Sequence, residues 1–373
     1  MTATCTTCTR RRFMAGAGMA AAGSALGAAP AADPHDTFVR EALYWHATGP
    51  QIVECDLCPI HCTAEPGERG ECGVRENRNG EYVTLVYGRP VSMNSDPIEK
   101  KPLFHVYPGS RSFSIATAGC NIHCTFCQNW DISQKRPEEI PARYVSPAMI
   151  ARLARRAHCR TVAYTYSEPT IFFEYMLDCA KAVKDAGLGN VVVSNGYIGA
   201  KPLKQLAPYL TAMKVDLKAF SQAFYGDHCE GKLQPVLNTL KLLTELEVWT
   251  EIVVLLIPTL NDNMDEIKRM AAWIARELGP NVPLFFTRFH PAYKIRHLPR
   301  TPARTIQLAG ETARAEGLNF VYAGNMPGTR GENTTCPACK APLVERYGHV
   351  VRSQTIQNGA CPKCGQTIPG VWV

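Results

Sequence analysis

From Ser112 to Val321, short runs of apolar and β-branched residues alternate with longer segments whose apolar positions recur every three or four residues. The runs SFSIAT, TVAYTY, NVVVSN, AMKVDL, VWTEIVVLLI and VPLFFTRF are nearly continuous in apolar character, the pattern of strands buried on both faces. Between them, SPAMIARLARRAH, IFFEYMLDCAKAVKDAG, LQPVLNTLKLLTELE and NMDEIKRMAAWIARELG read as amphipathic helices. Strict alternation of strand and helix predicts an α/β fold with a parallel sheet and crossover helices. Six such units are too few to close an eight-fold barrel. They predict an incomplete (β/α)6 TIM-like barrel, with a doubly wound sheet as the alternative; in either, ligands gather at the carboxyl ends of the strands. The polar residues at those ends are Ser167-Glu168, Ser194-Asn195-Gly196, Asp216 and Lys218.

The pattern changes on both sides of this core. Residues 33–111 contain CDLCPIHCTAEPGERGECGVR and residues 327–373 contain CPACKAPLVERYGHVVRSQTIQNGACPKCG, both rich in turn residues and short of long apolar runs. Segments of this kind predict small N- and C-terminal modules stapled by metal, flanking a core over 112–326. Residues 1–32 are different again. Arg10, Arg11 and Arg12 precede an uncharged Ala/Gly-rich stretch from Phe13 to Ala32, with small residues around Ala29-Pro30-Ala31. This reads as a signal peptide, and Thr9-Arg10-Arg11-Arg12-Phe13 as the twin-arginine type that exports folded proteins; a basic tail or a membrane anchor is the plainer alternative.

Composition adds little until the cysteines are counted. A chain of 373 residues with 46% hydrophobic and 20% charged residues is an ordinary globular protein. Its net charge of +7 includes the three leader arginines, so nucleic acid is not an expected partner, and membrane contact is expected only through the leader. Sixteen cysteines are unusual, and most of them fall at metal-ligand spacings in a chain too large to need a disulfide framework. Cys336-x2-Cys339 and Cys361-x2-Cys364 have the spacing of a zinc ribbon, with a rubredoxin-like iron or a disulfide pair as alternatives. Cys55-x2-Cys58-x3-Cys62, followed by Cys72, offers four thiolates to zinc or to a second iron-sulfur cluster, zinc being favoured; His46 and His61 are substitute ligands.

The central group, in AGCNIHCTFCQNWD, has only three: Cys120, Cys124 and Cys127 at C-x3-C-x2-C. Cys159, the next in sequence, is too distant and is expected to pack as a small apolar residue. Three cysteines hold three irons of a 4Fe-4S cube and leave the fourth open, as a catalytic zinc keeps one position open.

CNIHCTFC at the end of the first strand resembles the signature of the radical S-adenosylmethionine superfamily. The segment from Ser112 to Asn325 is similar to pyruvate formate-lyase activating enzymes, and with both flanking modules the chain resembles the radical enzymes of the AmmeMemoRadiSam system. The resemblance implies a 4Fe-4S cluster that reductively cleaves S-adenosylmethionine to a 5′-deoxyadenosyl radical, which takes hydrogen from a substrate.

By the same resemblance, Phe126 lies near adenine. Tyr166-Ser167-Glu168-Pro169 replaces a Gly-Gly-Glu-Pro edge, with Glu168 accepting from the methionyl amine. Ser194 and Asn195 meet ribose, Lys218 of Asp216-Leu217-Lys218 meets the methionyl carboxylate, and His290 and Asn325 stand near the nucleoside. The implied substrate is a glycine of a partner protein. The alternatives are a small molecule or RNA, or an exported iron-sulfur and zinc protein that transfers electrons without cleavage. Implied partners are an electron donor such as flavodoxin or ferredoxin, and Memo-like and AMMECR-like proteins. The leader points to the periplasm or envelope, and S-adenosylmethionine to the cytoplasm.

Overall fold

In the computed structural model, residues 36–372 are described; the leader, with Cys5 and Cys8, lies outside them. Seven strands of the central sheet are parallel and adjacent in chain order: Arg111–Ala116, Thr161–Tyr164, Gly189–Ser194, Ala212–Asp216, Trp249–Leu256, Leu284–Arg288 and Val321–Gly324. An eighth, Ser92–Pro97, pairs antiparallel with the first and forms one edge. A doubly wound sheet reverses its strand order at a switch point. This sheet has no reversal, so the incomplete barrel is the fold, open between its two edge strands.

Two strands exceed the six expected. Val321–Gly324 is four residues long. Ser92–Pro97 is largely polar and only partly buried, as edge strands are.

The helices follow from local signals. Pro147–Arg156 opens on Ser146, whose hydroxyl accepts from the Met149 amide at 3.3 Å, with Pro147 in the first turn where no amide partner is needed. It buries Ile150, Ala151 and Ala154. Met264–Glu277 is capped by Asn263, which accepts from Asp265 and Glu266 at 2.9 and 3.1 Å, and ends where Gly279 takes a positive φ of 99°.

Strand register decides what faces the inside of the barrel. Asp216, Val253, Phe285 and Tyr322 are successive partners across four strands. The apolar part of that row packs with Phe104, Cys336, Leu343, Cys361 and Ile368, so the C-terminal module sits against the sheet. Burying Phe104, Leu343 and Ile368 stabilises this contact by about 1.5–3 kcal/mol each.

His105 fastens the same region. Burial lowers its pKa to about 3, so the ring is neutral, with Nδ1 donating to the Pro369 carbonyl and Nε2 accepting from the Tyr322 hydroxyl, both at 2.6 Å. The N-terminal module, two small antiparallel sheets, is tied to the core by a buried Arg75–Glu174 ion pair; Glu174 also accepts from the Leu43 amide at 2.7 Å. Among the described residues, no helix is long and apolar enough to cross a membrane.

Candidate active site

A cavity of about 440 Å³ lies at the carboxyl ends of the parallel strands and brings together most of the residues named from sequence: Cys120, Cys124, Cys127, Phe126, Glu168, Ser194, Asn195, Asp216, Lys218 and Asn325. The three cysteines come from the loop after the first parallel strand, and each sulfur has a polar neighbour. The Asn195 amide nitrogen stands 3.8 Å from Cys120, and Ser133 Oγ stands 3.1 Å from Cys127. The neighbouring Cys229 thiol and Lys218 both hold the Cys124 pKa below its usual value, against burial. Cys229 is far along the chain, so no local pattern could have revealed it. Cys159 is buried elsewhere, with its sulfur 3.2 Å from Ser95 Oγ.

Glu168 is the most heavily bonded group in the site. Oε1 accepts from the Thr170 amide (3.0 Å), the Thr170 hydroxyl (2.8 Å) and the Ser194 hydroxyl (2.7 Å), while among the described residues Oε2 accepts only from the Asn195 amide (2.8 Å). Burial still pushes its pKa above the ordinary glutamate range, outweighing those donors. Ser194 and Asn195 therefore serve Glu168 and the cysteine loop. Ser194 Oγ also accepts from Gly196 N, and the Asn195 side chain accepts from Tyr197 N while donating to Asn121 Oδ1.

Tyr166 has a left-handed backbone of the kind glycine favours, with φ at 67°. Left-handed geometry costs a non-glycine residue roughly 1–3 kcal/mol. Its side chain offsets the cost: the hydroxyl bonds Asp96, and the Lys101 ammonium lies 4.3 Å from the ring centre. The Tyr166 carbonyl accepts from the Asn129 amide at 2.9 Å.

On the fourth parallel strand and its continuation, alternation places Lys214, Asp216 and Lys218 on one face of the cavity. Asp216 bridges both ammonium groups, Lys214 through Oδ1 and Lys218 through Oδ2 at 3.0 Å. Burial would raise the Asp216 pKa, but the two lysines overcome it and hold it at about 2. Lys214 belongs to the same i, i+2, i+4 series and was missed in the sequence reading although the period displayed it. The cluster carries one excess positive charge.

Phe126 is buried against Phe224, with ring centres 5.6 Å apart. Asn325 reaches the cavity wall and donates to the Arg288 carbonyl at 3.2 Å. His290 is not part of the cavity wall; its Nδ1 accepts from Arg300 Nε at 3.0 Å. Lys100 and Lys101 from the segment after the edge strand, and His349 from the C-terminal module, also line the cavity, and no sequence pattern singles them out.

All fourteen described cysteines are free thiols. Cys336, Cys339, Cys361 and Cys364 have their sulfurs within 4.8 Å of one another, an arrangement that offers one metal ion four thiolates. Burial raises Cys336, but backbone amides of Cys339 and Ala338 pointing at its sulfur bring it down to about 7. Cys55, Cys58, Cys62 and Cys72 line a second, small cavity, where burial pushes Cys58 and Cys72 up to about 12. His46 and His61 instead turn Nδ1 toward carboxylates, His46 to Asp56 at 2.7 Å and His61 to Glu54 and Asp56 at 3.7 Å.

Residues 114–274 match the family model of the Radical SAM superfamily. An uncharacterized protein of Methanocaldococcus jannaschii is 43% identical over 332 residues, which are 88% of this chain and 99% of that protein. A second uncharacterized protein of the same organism is 25% identical over 284 residues, covering 72% and 76%. Two solved structures are similar at 16% identity. A domain of a pyruvate-formate lyase-activating enzyme from Bacteroides vulgatus covers 44% of this chain and 98% of its own, with a TM-score of 0.40. A radical SAM methyltransferase from Sphaerobacter thermophilus covers 61% and 71%, with a TM-score of 0.47.

Proposed function

The chain belongs to the radical SAM superfamily, and on that premise we propose that it cleaves S-adenosylmethionine at a 4Fe-4S cluster bound by Cys120, Cys124 and Cys127 and abstracts hydrogen from a substrate held in the same cavity. The observation that carries this reading is the meeting of three cysteines, one short of a closed site, with Glu168 and the Lys214–Asp216–Lys218 cluster on the wall of one cavity. The donor set fits the cluster, since each of the three sulfurs has an amide, hydroxyl or thiol partner to stabilise a thiolate ligand. When bound, the cluster and S-adenosylmethionine supply the electron and the adenosyl radical; the protein binds, orients and excludes water.

Each residue then has a part. Glu168 Oε2, with one protein donor, has capacity for the methionyl ammonium. The excess positive charge of Lys214 and Lys218 around Asp216 suits the methionyl carboxylate. Phe126 offers an aromatic edge to adenine, and Tyr166, held left-handed, lines the cavity with its carbonyl bonded to the Asn129 amide. The resemblance of Asp216-Leu217-Lys218 to the Asp-Leu-Lys of activating enzymes favours a glycine Cα–H of a partner protein as the hydrogen source, with a flavodoxin- or ferredoxin-like electron donor. Zinc is the metal proposed for the C-terminal four-cysteine group, because its sulfur spacing suits a single tetrahedral ion.

The test is direct. Purified without oxygen, loaded with iron and sulfide and reduced with dithionite, the full chain should convert S-adenosylmethionine to 5′-deoxyadenosine, and Cys124→Ala should form none. A loaded, reduced cluster that forms no product with or without partner proteins would overturn the reading.

A further inference from the structure

We infer that Cys55, Cys58, Cys62 and Cys72 hold a second 4Fe-4S cluster rather than a zinc ion, and that this cluster backs directly onto the loop of Cys120, Cys124 and Cys127. The chain contains its own ruler. In the C-terminal group the sulfurs of Cys336 and Cys364 are 3.6 Å apart and those of Cys339 and Cys361 are 3.7 Å apart. A tetrahedral zinc with Zn–S of about 2.3 Å sets its sulfurs about 3.8 Å from one another. An iron-sulfur cube places each thiolate outside a different iron and so spreads them to roughly 6 Å.

Cys55, Cys58, Cys62 and Cys72 line one small cavity, yet among the described residues they do not form a group with sulfurs within 4.8 Å of one another. Neither do Cys120, Cys124 and Cys127. By this measure the N-terminal four go with the Cys120 triplet, whose sulfurs also exceed single-ion spacing, and not with the C-terminal four.

A second observation points the same way. Tyr82 and Arg75 line this cavity, both fully buried, and the Tyr82 hydroxyl and Arg75 Nε have no hydrogen-bond partner among the described residues. Buried donors left unpaired are costly. A cube brings bridging sulfides that accept from such donors, whereas a zinc ion brings no acceptor beyond the four thiolates. Cys55 already accepts from Arg75 Nη1 at 3.3 Å and Cys62 from the Glu71 amide at 3.4 Å, as thiolate ligands do. Leu57, Ile60 and Ile171 supply the apolar part of the remaining wall, and Asn121 its polar part.

Position gives the site its use. Gly119, at φ 98°, touches the module so closely that a Cβ there would stand 2.7 Å from the Cys72 carbonyl. Asn121 lines the N-terminal cavity and accepts from Asn195, whose amide also approaches Cys120. On the radical reading above, the second cluster relays one electron. A low-potential one-electron donor protein reduces it, and it is reoxidised as the Cys120 cluster is reduced.

The experiment uses the full chain, reconstituted without oxygen. Metal analysis is expected to give about eight irons and one zinc per chain; about four irons and two zincs would overturn the inference. The triple variant Cys120→Ala/Cys124→Ala/Cys127→Ala, which cannot cleave S-adenosylmethionine, should retain about four irons and the electron paramagnetic resonance signal of a reduced cluster. Loss of all iron from that variant, with zinc at two in the wild type by X-ray absorption, would overturn it too. These readouts need no turnover, so they separate this inference from the proposed activity. In reduced wild type, magnetic coupling between adjacent clusters should broaden the signal relative to the triple variant; two unbroadened signals would refute the placement behind Cys120.

Discussion

Glu168→Gln isolates the carboxylate that the structure equips most heavily. In the wild type Oε1 is filled by three donors and Oε2 has one, leaving a single acceptor direction for a ligand. An ammonium donating there makes a charge-assisted bond of about 1.5–3 kcal/mol. The amide must also turn its NH2 toward either the Oε1 donors or the Asn195 amide, so a donor faces a donor whichever way it flips. The expected loss of S-adenosylmethionine affinity is about ten- to one-hundred-fold, since about 1.4 kcal/mol is tenfold.

Equilibrium binding to the reconstituted, oxidised protein measures it, with iron content as the control for an intact cluster. Because burial raises the Glu168 pKa, binding should be complete above that raised value and fall away as pH drops through it, at higher pH than for an ordinary glutamate. Folding runs the other way. A raised carboxyl pKa favours the folded state at low pH, and that contribution is lost as pH rises. An affinity within twofold of wild type at full iron content would refute the role given to Glu168.

Three other perturbations follow from buried partners. Glu174→Ala removes the carboxylate partner of the buried Arg75 guanidinium and should cost about 3–5 kcal/mol, read as a lowered urea midpoint; Glu174→Gln, which keeps an acceptor, should cost less. Glu251, buried and accepting from the Phe104 and His105 amides and from Trp249, has its pKa pushed by burial to about 7. It therefore favours folding below the ordinary carboxyl range and loses that contribution as pH rises toward 7, so Glu251→Gln should flatten the decline of unfolding temperature between about pH 5 and 7. Ser133→Ala removes the hydroxyl beside Cys127, and a differential of about 0.5–1 kcal/mol should lower the cluster potential by about 20–40 mV; a redox titration showing no shift would contradict the contact.

What was legible in the sequence was whatever local pattern alone determines. The six apolar runs became strands because parallel strands under crossover helices are buried on both faces, which leaves a continuous signature. Ser92–Pro97 and Val321–Gly324 carried no such signature, one being a polar edge and the other only four residues long. In the site, Lys214 was visible in the alternation and passed over. Cys229 was invisible, because only folding brings it to Cys124. Ser194 and Asn195 stand in the cavity, but their hydrogen bonds are directed to Glu168, Asn121 and their own turn. Residue identity showed that these groups can bond, and only the neighbours show to what.

The same limit applies to the metal groups and explains how the architecture divides them. Short cysteine spacings place two thiols on one tight turn, and either a zinc ion or an iron in a cube can be served from such a turn. The distance between one turn and the next belongs to the fold. In the C-terminal module, facing antiparallel strands set the two turns close enough for one ion, with Cys336 and Cys361 in the apolar cluster that covers Val253, Phe285 and Tyr322. That cover occupies the apolar part of the register row whose polar end is Asp216. Glu332, Gly348 and His349 of the same module thereby become walls of the cavity. The four-cysteine group at one end of the row thus fixes the shape of the cavity at the other, and the two differ because one set of sulfurs numbers four and the other stops at three.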